Sequence, residues 1–440
     1  MDSSGNSNSL GFSGYRHTES GKPDLFLTQV GPGTPGGEYH RRFWQAAAWE
    51  HEIKDLPFVQ RVLGEDLVLF RDKSGRYGCV HKHCCHRNTS LEFGQIEERG
   101  IRCCYHGRLY DIDGTILEAP GEPLDVLQRQ VAQPAYPTHV FCGMVFVYMG
   151  PIDQKPPFPN YDRFNVPGIR MDAGDRLPWT CNWLQLKENV MDPVHTATLH
   201  VLPGQPNPFG DGFGVIPEIE WSETPVGCIY VAVRRVGDNI WARSTDALMP
   251  NIHSITSVFE NGRKQKEAAP PWLTLWTTPV DDHNCINFTF FHLRDNETRD
   301  KRIAGQFNNF GQSPNRPYEE RQRVPGDYDA MTSQGPITPH SKEHLGVGDT
   351  GVALFRRLLR RGIEATQRGE TLPFLYDFNG APTTTYGNDR IVPLSAVNGD
   401  PDDKRVLRQY ARHIGKDYLE NPPLRALLEA ARRDRAAVNP

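Results

Sequence analysis

Cys84-Cys-His86 and Cys103-Cys-Tyr-His106 set two thiols and two imidazoles on two short segments, with sixteen residues between His86 and Cys103. Thiolate and imidazole are transition-metal donors. Four such ligands serve two chemistries. A tetrahedral zinc site uses them to brace a fold. A [2Fe–2S] cluster with two cysteines on one iron and two histidines on the other uses them to move one electron at a time. Cys79-Val-His81 is a third Cys-x-His pair, and Cys85 and Cys104 sit beside the chosen cysteines. Side chains alternate along an extended loop, so Cys85 and Cys104 are expected to point away and pack as small buried residues.

A second stretch runs from Cys181 to His200 and contains Glu188-Asn189, Asp192, His195 and His200. On one helix Glu188, Asp192 and His195 share a face, and His200 falls off it by more than a third of a turn. Two histidines on one metal therefore require the helix to end or bulge between His195 and His200. Taken alone, this pair reads as readily as two structural histidines.

The elements that must position these residues are short. Glu38–Trp49 carries apolar residues at helical spacing, and a helix is expected there. From Gln60 to Gly150 the runs are short and β-rich, for example Leu67–Phe70, Tyr77–Val80 and Met144–Met149, with turn signals at Ser74-Gly75 and Asp113-Gly114. Pro151–Asn160 reads as a linker. Cys228–Val233 and Cys285–Phe291 suggest an antiparallel sheet, flanked by helices at about Trp183–Leu199 and Asp349–Gln367. Arg356, Arg357, Arg360 and Arg361 on the second helix are expected on a solvated or inter-subunit face. Asp377–Asp403 reads as loop, and a charged helix is expected near Arg405–Ala437. The fold class is α+β. The expected organisation is a disordered tail 1–23, a helical segment 24–54, an all-β domain 55–150 holding the cysteine loops, a second domain 151–395 holding the histidine pair and a helical extension 396–440.

A chain of 440 residues suggests two or three domains. The net charge of −5 has no large basic block behind it, so no nucleic-acid partner is expected. No run of about eighteen apolar residues is present to span a membrane, and the Ser/Gly-rich start lacks the apolar core of a signal peptide. Nine cysteines, four of them in the two candidate metal-binding loops, fit a reducing cytoplasm better than a disulfide framework. No nucleotide-binding fingerprint is evident.

The flanks of the metal-binding stretch carry a resemblance. Cys84-Cys-His-Arg-Asn-Thr-Ser-Leu-Glu-Phe-Gly94 and Cys103-Cys-Tyr-His-Gly107 closely resemble the two cluster-binding loops of Rieske proteins. The resemblance implies Cys84, His86, Cys103 and His106 as ligands of a Rieske [2Fe–2S] cluster, and argues against zinc. It also implies that Tyr105 packs or hydrogen-bonds near a cluster sulfur. Two positions depart from the pattern: Asn88 stands where glycine is frequent, and Arg108 where tryptophan is common. The second stretch resembles the mononuclear-iron motif Glu-Asn-x2-Asp-x2-His-x4-His of Rieske non-haem iron oxygenases. Gly31–Gly37, Arg41–Gln45, Ser333–Ile337 and Glu343–Gly346 resemble the terminal oxygenase (alpha) subunits of the phthalate dioxygenase and aromatic O-demethylase branch. The likeness spans about Gly31 to Arg368.

This resemblance implies an all-β Rieske domain and a catalytic domain of the helix-grip type. It implies Fe(II) held by His195, His200 and a distant carboxylate, Asp327, with Asp329 as the rival two residues on. Asp192 would link a Rieske histidine of one subunit to an iron-binding histidine of the next, and Asn189 and Glu188 would shape the same junction or an access channel. The implied partners are further copies of the chain, as a head-to-tail trimer, and a separate reductase or ferredoxin carrying the NAD(P)H and flavin chemistry. The implied reaction is O2-dependent O-demethylation or monooxygenation of a methoxylated or carboxylated aromatic, with ring cis-dihydroxylation of an aromatic carboxylate as the alternative. A non-catalytic Rieske electron carrier is the remote third reading.

Overall fold

The computed structural model describes residues 20–201, 211–256, 269, 271–294, 297–298, 314–375, 381–396, 403–425 and 428–429. Most of the expected tail and the last part of the expected C-terminal helix lie outside these residues.

Strands Phe58–Val62, Glu65–Arg71 and Tyr77–His81 form an antiparallel meander. Its period of two divides the side chains between two cores. Leu67, Leu69 and Cys79 face the main core. Val68, Phe70 and Val80 face a smaller core beneath the cysteine loops, shared with Leu91, Ile101, Tyr110 and Ile116. Four very short strands, Gln95–Ile96, Ile101–Arg102, Leu109–Tyr110 and Ile116–Glu118, make a second antiparallel sheet around those loops.

The helix expected over Glu38–Trp49 is not formed. A helix Pro35–His40 ends early, and Gln45–Trp49 is a strand paired with Met144–Val147, which in turn pairs with Thr138–Phe141. All five residues of Gln45–Trp49 are buried. A strand covered on both faces loses its alternation and reads as a continuous apolar run. Asn251 Nδ2 donates to Gln45 Oε1 at 2.8 Å and Thr278 Oγ1 to Ala46 O at 2.7 Å, fastening this strand to the large sheet.

Among the described residues that sheet has eight antiparallel strands. Along its main path the order is Ile169–Trp179, Asn284–Arg294, Pro271–Asp281, Ile252–Thr256, Asn239–Leu248, Gly227–Val236 and Glu218–Thr224. The eighth, Asp389–Pro393, pairs with Asn239–Leu248. It falls inside the stretch expected to be loop, where its five residues were too short a run to stand out among Gly, Pro, Thr and Asn.

The helix Thr350–Arg368 lays Leu354, Phe355, Leu358, Leu359 and Ile363 into the main core. Five such side chains contribute on the order of 10 kcal/mol before ordering entropy is subtracted. At Gly362 a Cβ would lie 2.5 Å from the Tyr39 ring, so only glycine lets this helix approach Pro35–His40 so closely. The arginines of this helix are not a solvated or inter-subunit face alone. Arg356 clamps Glu188 and Glu343, Arg360 pairs with Asp24, and Arg361 pairs with Glu223. Long side chains at helical spacing reach partners in three segments that are distant in sequence. A second helix, Asp403–Glu420, packs Leu407, Ala411, Ile414 and Tyr418 on the sheet. No helix among the described residues is long and apolar enough to cross a membrane.

His40 is fully buried, and neither ring nitrogen has a hydrogen-bond partner. Burial, then the Lys187 charge, pushes its pKa down to about 3. The unfolded chain binds this proton below the ordinary histidine range, near pH 6.5. The neutral ring's contribution is therefore intact above that pH and is lost as pH falls towards 3. Acid destabilisation should be shallower in His40→Phe. Melting temperature against pH from 7 to 4, for parent and variant, measures it; parallel curves would remove His40 as the cause.

Candidate metal centres

The two cysteine loops are built alike. The Cys84 N–H donates to Thr89 O at 2.9 Å, and the Asn88 N–H to Cys84 O at 2.9 Å. The Cys103 N–H donates to Arg108 O at 2.9 Å, and the Gly107 N–H to Cys103 O at 3.1 Å. Each loop is a tight turn that satisfies its own backbone. Cys84 and Cys103 are buried beneath, while His86 and His106 stand above with ring centroids 4.5 Å apart. A buried thiol pair under a part-exposed imidazole pair fits a [2Fe–2S] cluster with its histidine iron near the surface.

The repeated turn explains one departure from the family pattern. Asn88 and Gly107 occupy equivalent places and both are left-handed, with φ of 59° and 72°. Asparagine is among the few non-glycine residues that adopt this region readily. Arg108, the other departure, is buried and donates from Nη2 to Glu122 Oε1 at 2.6 Å. Partial burial, then the Arg108 charge, lowers the proton affinity of His86.

Two expectations need correction. Tyr105 does not reach a sulfur: it is 56% exposed, lies 3.8 Å from the His106 ring and carries Arg87 over its face. Cys104 is exposed, because the short turn tips it outward; Cys85 is half-buried. The residue that touches sulfur is Tyr110, whose hydroxyl is 2.9 Å from Cys84 Sγ and 3.6 Å from Cys85 Sγ. Cys79 and His81 stand apart from the loops. Cys79 is sealed in the main core, and His81 Nε2 meets Glu65 at 2.6 Å.

A hydroxyl donating to a cluster thiolate stabilises the reduced, more negative state. Tyr110→Phe should keep the cluster and lower its reduction potential. One net hydrogen bond of ~1 kcal/mol corresponds to roughly 40 mV for one electron. Redox titration by visible absorbance reads the shift; an unchanged potential would make the contact mere packing.

The second centre forms where a helix breaks. The helix over Trp183–Leu199 is split: Trp183–Val190 ends, and a single turn, Thr196–Leu199, follows with His195 and His200 as its caps. One break lies before His195, and the short turn itself ends at Leu199, between the two histidines as expected. Pro193 explains the first break, since proline lacks the N–H, clashes with the preceding turn and disfavours α geometry at Asp192. His195 and His200 then face the same point. Asp327 opens the helix Asp327–Thr332, with one carboxylate oxygen 3.6 Å from His195 Nε2 and the other 3.4 Å from His200 Nε2. The three donor atoms lie within 4.8 Å of one another. Two imidazoles and one carboxylate on one side are the donor set of non-haem Fe(II) sites.

Neighbouring groups orient these three side chains. Asn189 Nδ2 donates to Asp327 Oδ1 at 3.2 Å. His195 Nδ1 donates to the main-chain carbonyl of Asp192, which turns Nε2 towards Asp327. Burial lowers the proton affinity of His195 despite the Asp327 charge. Burial acts to raise the Asp327 carboxyl, but the His200 and His195 charges and the Asn189 hydrogen bond outweigh it and hold the group well below the usual range. Asp329 is engaged elsewhere, by Arg316 and Arg321 at 2.5 Å each and by the Gly326 N–H at 3.0 Å. Asp192 accepts from the Val194 N–H at 2.8 Å, and its other oxygen is 3.9 Å from His195 Nδ1.

Glu188, His340 and Glu343 also converge. Arg356 already fills the acceptors there, with 2.5 and 2.7 Å contacts to Glu188 and 2.5 and 2.9 Å contacts to Glu343. Glu188 thus ties the Trp183–Val190 helix to Arg356 of the helix Thr350–Arg368.

Comparison with known proteins follows the same lines. The Rieske [2Fe-2S] domain model matches residues 43–133. The chain is 42% identical over 428 residues to the tert-butanol monooxygenase / tert-amyl alcohol desaturase oxygenase subunit of Aquincola tertiaricarbonis, covering 92% of this chain and 90% of that one. It is 38% identical over 375 residues to the phenoxybenzoate dioxygenase subunit alpha of Ectopseudomonas oleovorans, covering 81% and 88%. The solved structure of NdmA from Pseudomonas putida CBB5 shares the fold with a TM-score of 0.58 at 20% identity, over 75% of this chain and 93% of that one. The chain belongs to the Rieske non-haem iron oxygenases, as a terminal oxygenase alpha subunit. It is an oxidoreductase with a Rieske [2Fe–2S] cluster and an α+β fold.

Proposed function

We propose that this subunit accepts electrons from a separate NAD(P)H-fed reductase or ferredoxin on the cluster held by Cys84, His86, Cys103 and His106. It passes them to Fe(II) held by His195, His200 and Asp327, and uses O2 to oxidise an aromatic substrate. The observation that carries this reading is the convergence of His195, His200 and Asp327, donors from two distant segments, within 4.8 Å. Bound Fe(II) supplies the oxygen chemistry and keeps positions open beside three protein ligands.

The chain's own residues set the conditions. His195 presents Nε2 to the site because its Nδ1 proton is committed to the Asp192 carbonyl. Asn189 fixes one oxygen of Asp327. Phe213 and Trp241, both buried, stand beyond His200 and exclude water on the sheet side. Asp192 is the proposed bridge to the cluster of a neighbouring subunit, which places the chain in a head-to-tail homotrimer. Heterologous contacts of this kind close into a ring.

The reaction supported best is monooxygenation of a methoxylated or carboxylated aromatic, with O-demethylation releasing formaldehyde from a methyl ether. Ring cis-dihydroxylation of an aromatic carboxylate is the second reading, favoured by the relative named a phenoxybenzoate dioxygenase. The relative named for tert-butanol adds a neutral tertiary alcohol to the substrates worth testing. The deciding measurement is iron per chain combined with substrate-dependent O2 uptake, using a phthalate-type reductase, NADH and methoxylated benzoates. Three irons and coupled uptake are expected. Two irons and no uptake with any substrate would leave an electron carrier.

A further inference from the structure

We infer that Arg243 is the anchor for a carboxylate on the substrate. This deepens the proposed function and rests on it.

Strands Gly227–Val236 and Asn239–Leu248 pair Arg234 with Trp241 and Ala232 with Arg243, so the two arginines sit diagonally on one face. Both guanidinium groups lie against Phe213, at 5.8 Å for Arg234 and 5.2 Å for Arg243. Phe213 in turn meets the His200 ring edge-on at 6.5 Å. This face of the sheet therefore lies beside the mononuclear centre.

The two arginines differ in what they hold. Arg234 donates from Nε to Val215 O at 2.8 Å, and from Nη2 to Pro193 O at 3.3 Å and Thr196 Oγ1 at 3.1 Å. It fastens the turn that carries His195. Arg243 is 6% exposed, its Nε is buried without a partner, and no carboxylate among the described residues pairs with it. Asp389, opposite it across the strand pair, accepts instead from Trp241 Nε1.

A guanidinium does not lose its proton in a protein. Burying one without a counter-charge is strongly unfavourable, and among the described residues no carboxylate repays that cost for Arg243. Its planar fork matches a carboxylate through two parallel hydrogen bonds. Phe213 offers an apolar wall between that fork and the histidines, as an aromatic acid requires. A site built to pair a buried polar group rejects ligands that leave it unpaired, so Arg243 separates aromatic acids from neutral analogues.

The test uses the purified holoprotein with benzoate and its neutral counterpart benzamide, following binding by tryptophan fluorescence. The parent should bind benzoate at least tenfold more tightly than benzamide. Arg243→Gln should lose about ten- to a hundredfold for benzoate and leave benzamide unchanged, with cluster absorbance and iron content intact. Arg243→Lys, which keeps the charge but not the fork, should fall between, and with a methoxybenzoate substrate its KM should rise more than its kcat falls. Equal binding of benzoate and benzamide by the parent overturns the inference, as does undiminished benzoate binding by Arg243→Gln. If Arg243→Gln does not fold, the parent's ratio and Arg243→Lys decide. Oxygen uptake driven by tert-butanol, with no benzoate binding, would sink this inference while leaving the oxygenase reading intact; two irons per chain and no uptake would sink that reading itself.

Discussion

Asp327→Ala should leave the visible spectrum of the Rieske cluster unchanged while mononuclear iron falls from one per chain to nearly none and turnover stops. The two centres are built from separate segments, and the cluster loops rest on their own small core, so loss at one should not propagate to the other. Even residues that only orient metal ligands cost about 10–100-fold in metal affinity when removed; a ligand should cost more. Asp329→Ala is the control with an opposite signature. Its carboxylate holds Arg316 and Arg321, whose side chains are 10% and 29% exposed. Removing it strands two cations and should cost stability, on the order of 1–3 kcal/mol after allowing for solvent, with iron retained. Iron analysis and thermal melts on both variants separate the two effects. If Asp329→Ala loses the iron and Asp327→Ala keeps it, the carboxylate assignment is wrong by two residues.

What could be read from the sequence follows from how local each device is. The cluster loops were legible because their ligands, flanking glycines and turn hydrogen bonds all fall within a few residues of one another. Even the departure at Asn88 obeys that logic, since the position needs a left-handed residue and asparagine is one. Tyr110 was not legible as the sulfur's partner: its hydroxyl arrives from a neighbouring strand, whereas Tyr105 merely sits closer in sequence. Asp327 could be chosen over Asp329 only through family resemblance, because nothing local tells a ligand from the anchor of two arginines. The end between the two histidines was expected and is found at Leu199, but the further break at Pro193 was available in the sequence and was missed. Proline ends the helix before His195, and the single turn that follows brings both histidines to one side. The strand Gln45–Trp49 was hidden for a different reason. Being buried on both faces, it has no alternation to show. Arg243 gave no signal at all, for a lone arginine in a strand reads as an outward-facing residue until its burial and its unpartnered Nε are seen.

Asp192→Asn should keep both metal centres and still cut turnover by about a hundredfold or more, because the proposed role of Asp192 lies between them. The Val194 N–H contact survives the change, since the asparagine carbonyl can accept it as the carboxylate does. What is lost is the second acceptor. The carboxylate oxygen not held by Val194 becomes, in that amide orientation, an NH2 that cannot accept from the imidazole N–H of a neighbouring subunit. The carboxylate is 28% exposed in the single chain, so a neighbouring subunit's imidazole could approach it. Stopped-flow absorbance provides the discriminating measurement. A pre-reduced cluster in Asp192→Asn should stay reduced after substrate and O2 are added, whereas the parent should reoxidise quickly. Mixed oligomers add a test that no folding defect can imitate. Asp192→Asn chains retain a cluster and Cys84→Ser chains retain an aspartate, so their hybrids should regain part of the activity wherever an intact cluster meets an intact Asp192 across an interface. Fast reoxidation in Asp192→Asn, or hybrids as inactive as their parents, would reduce Asp192 to the residue that holds the turn at Val194.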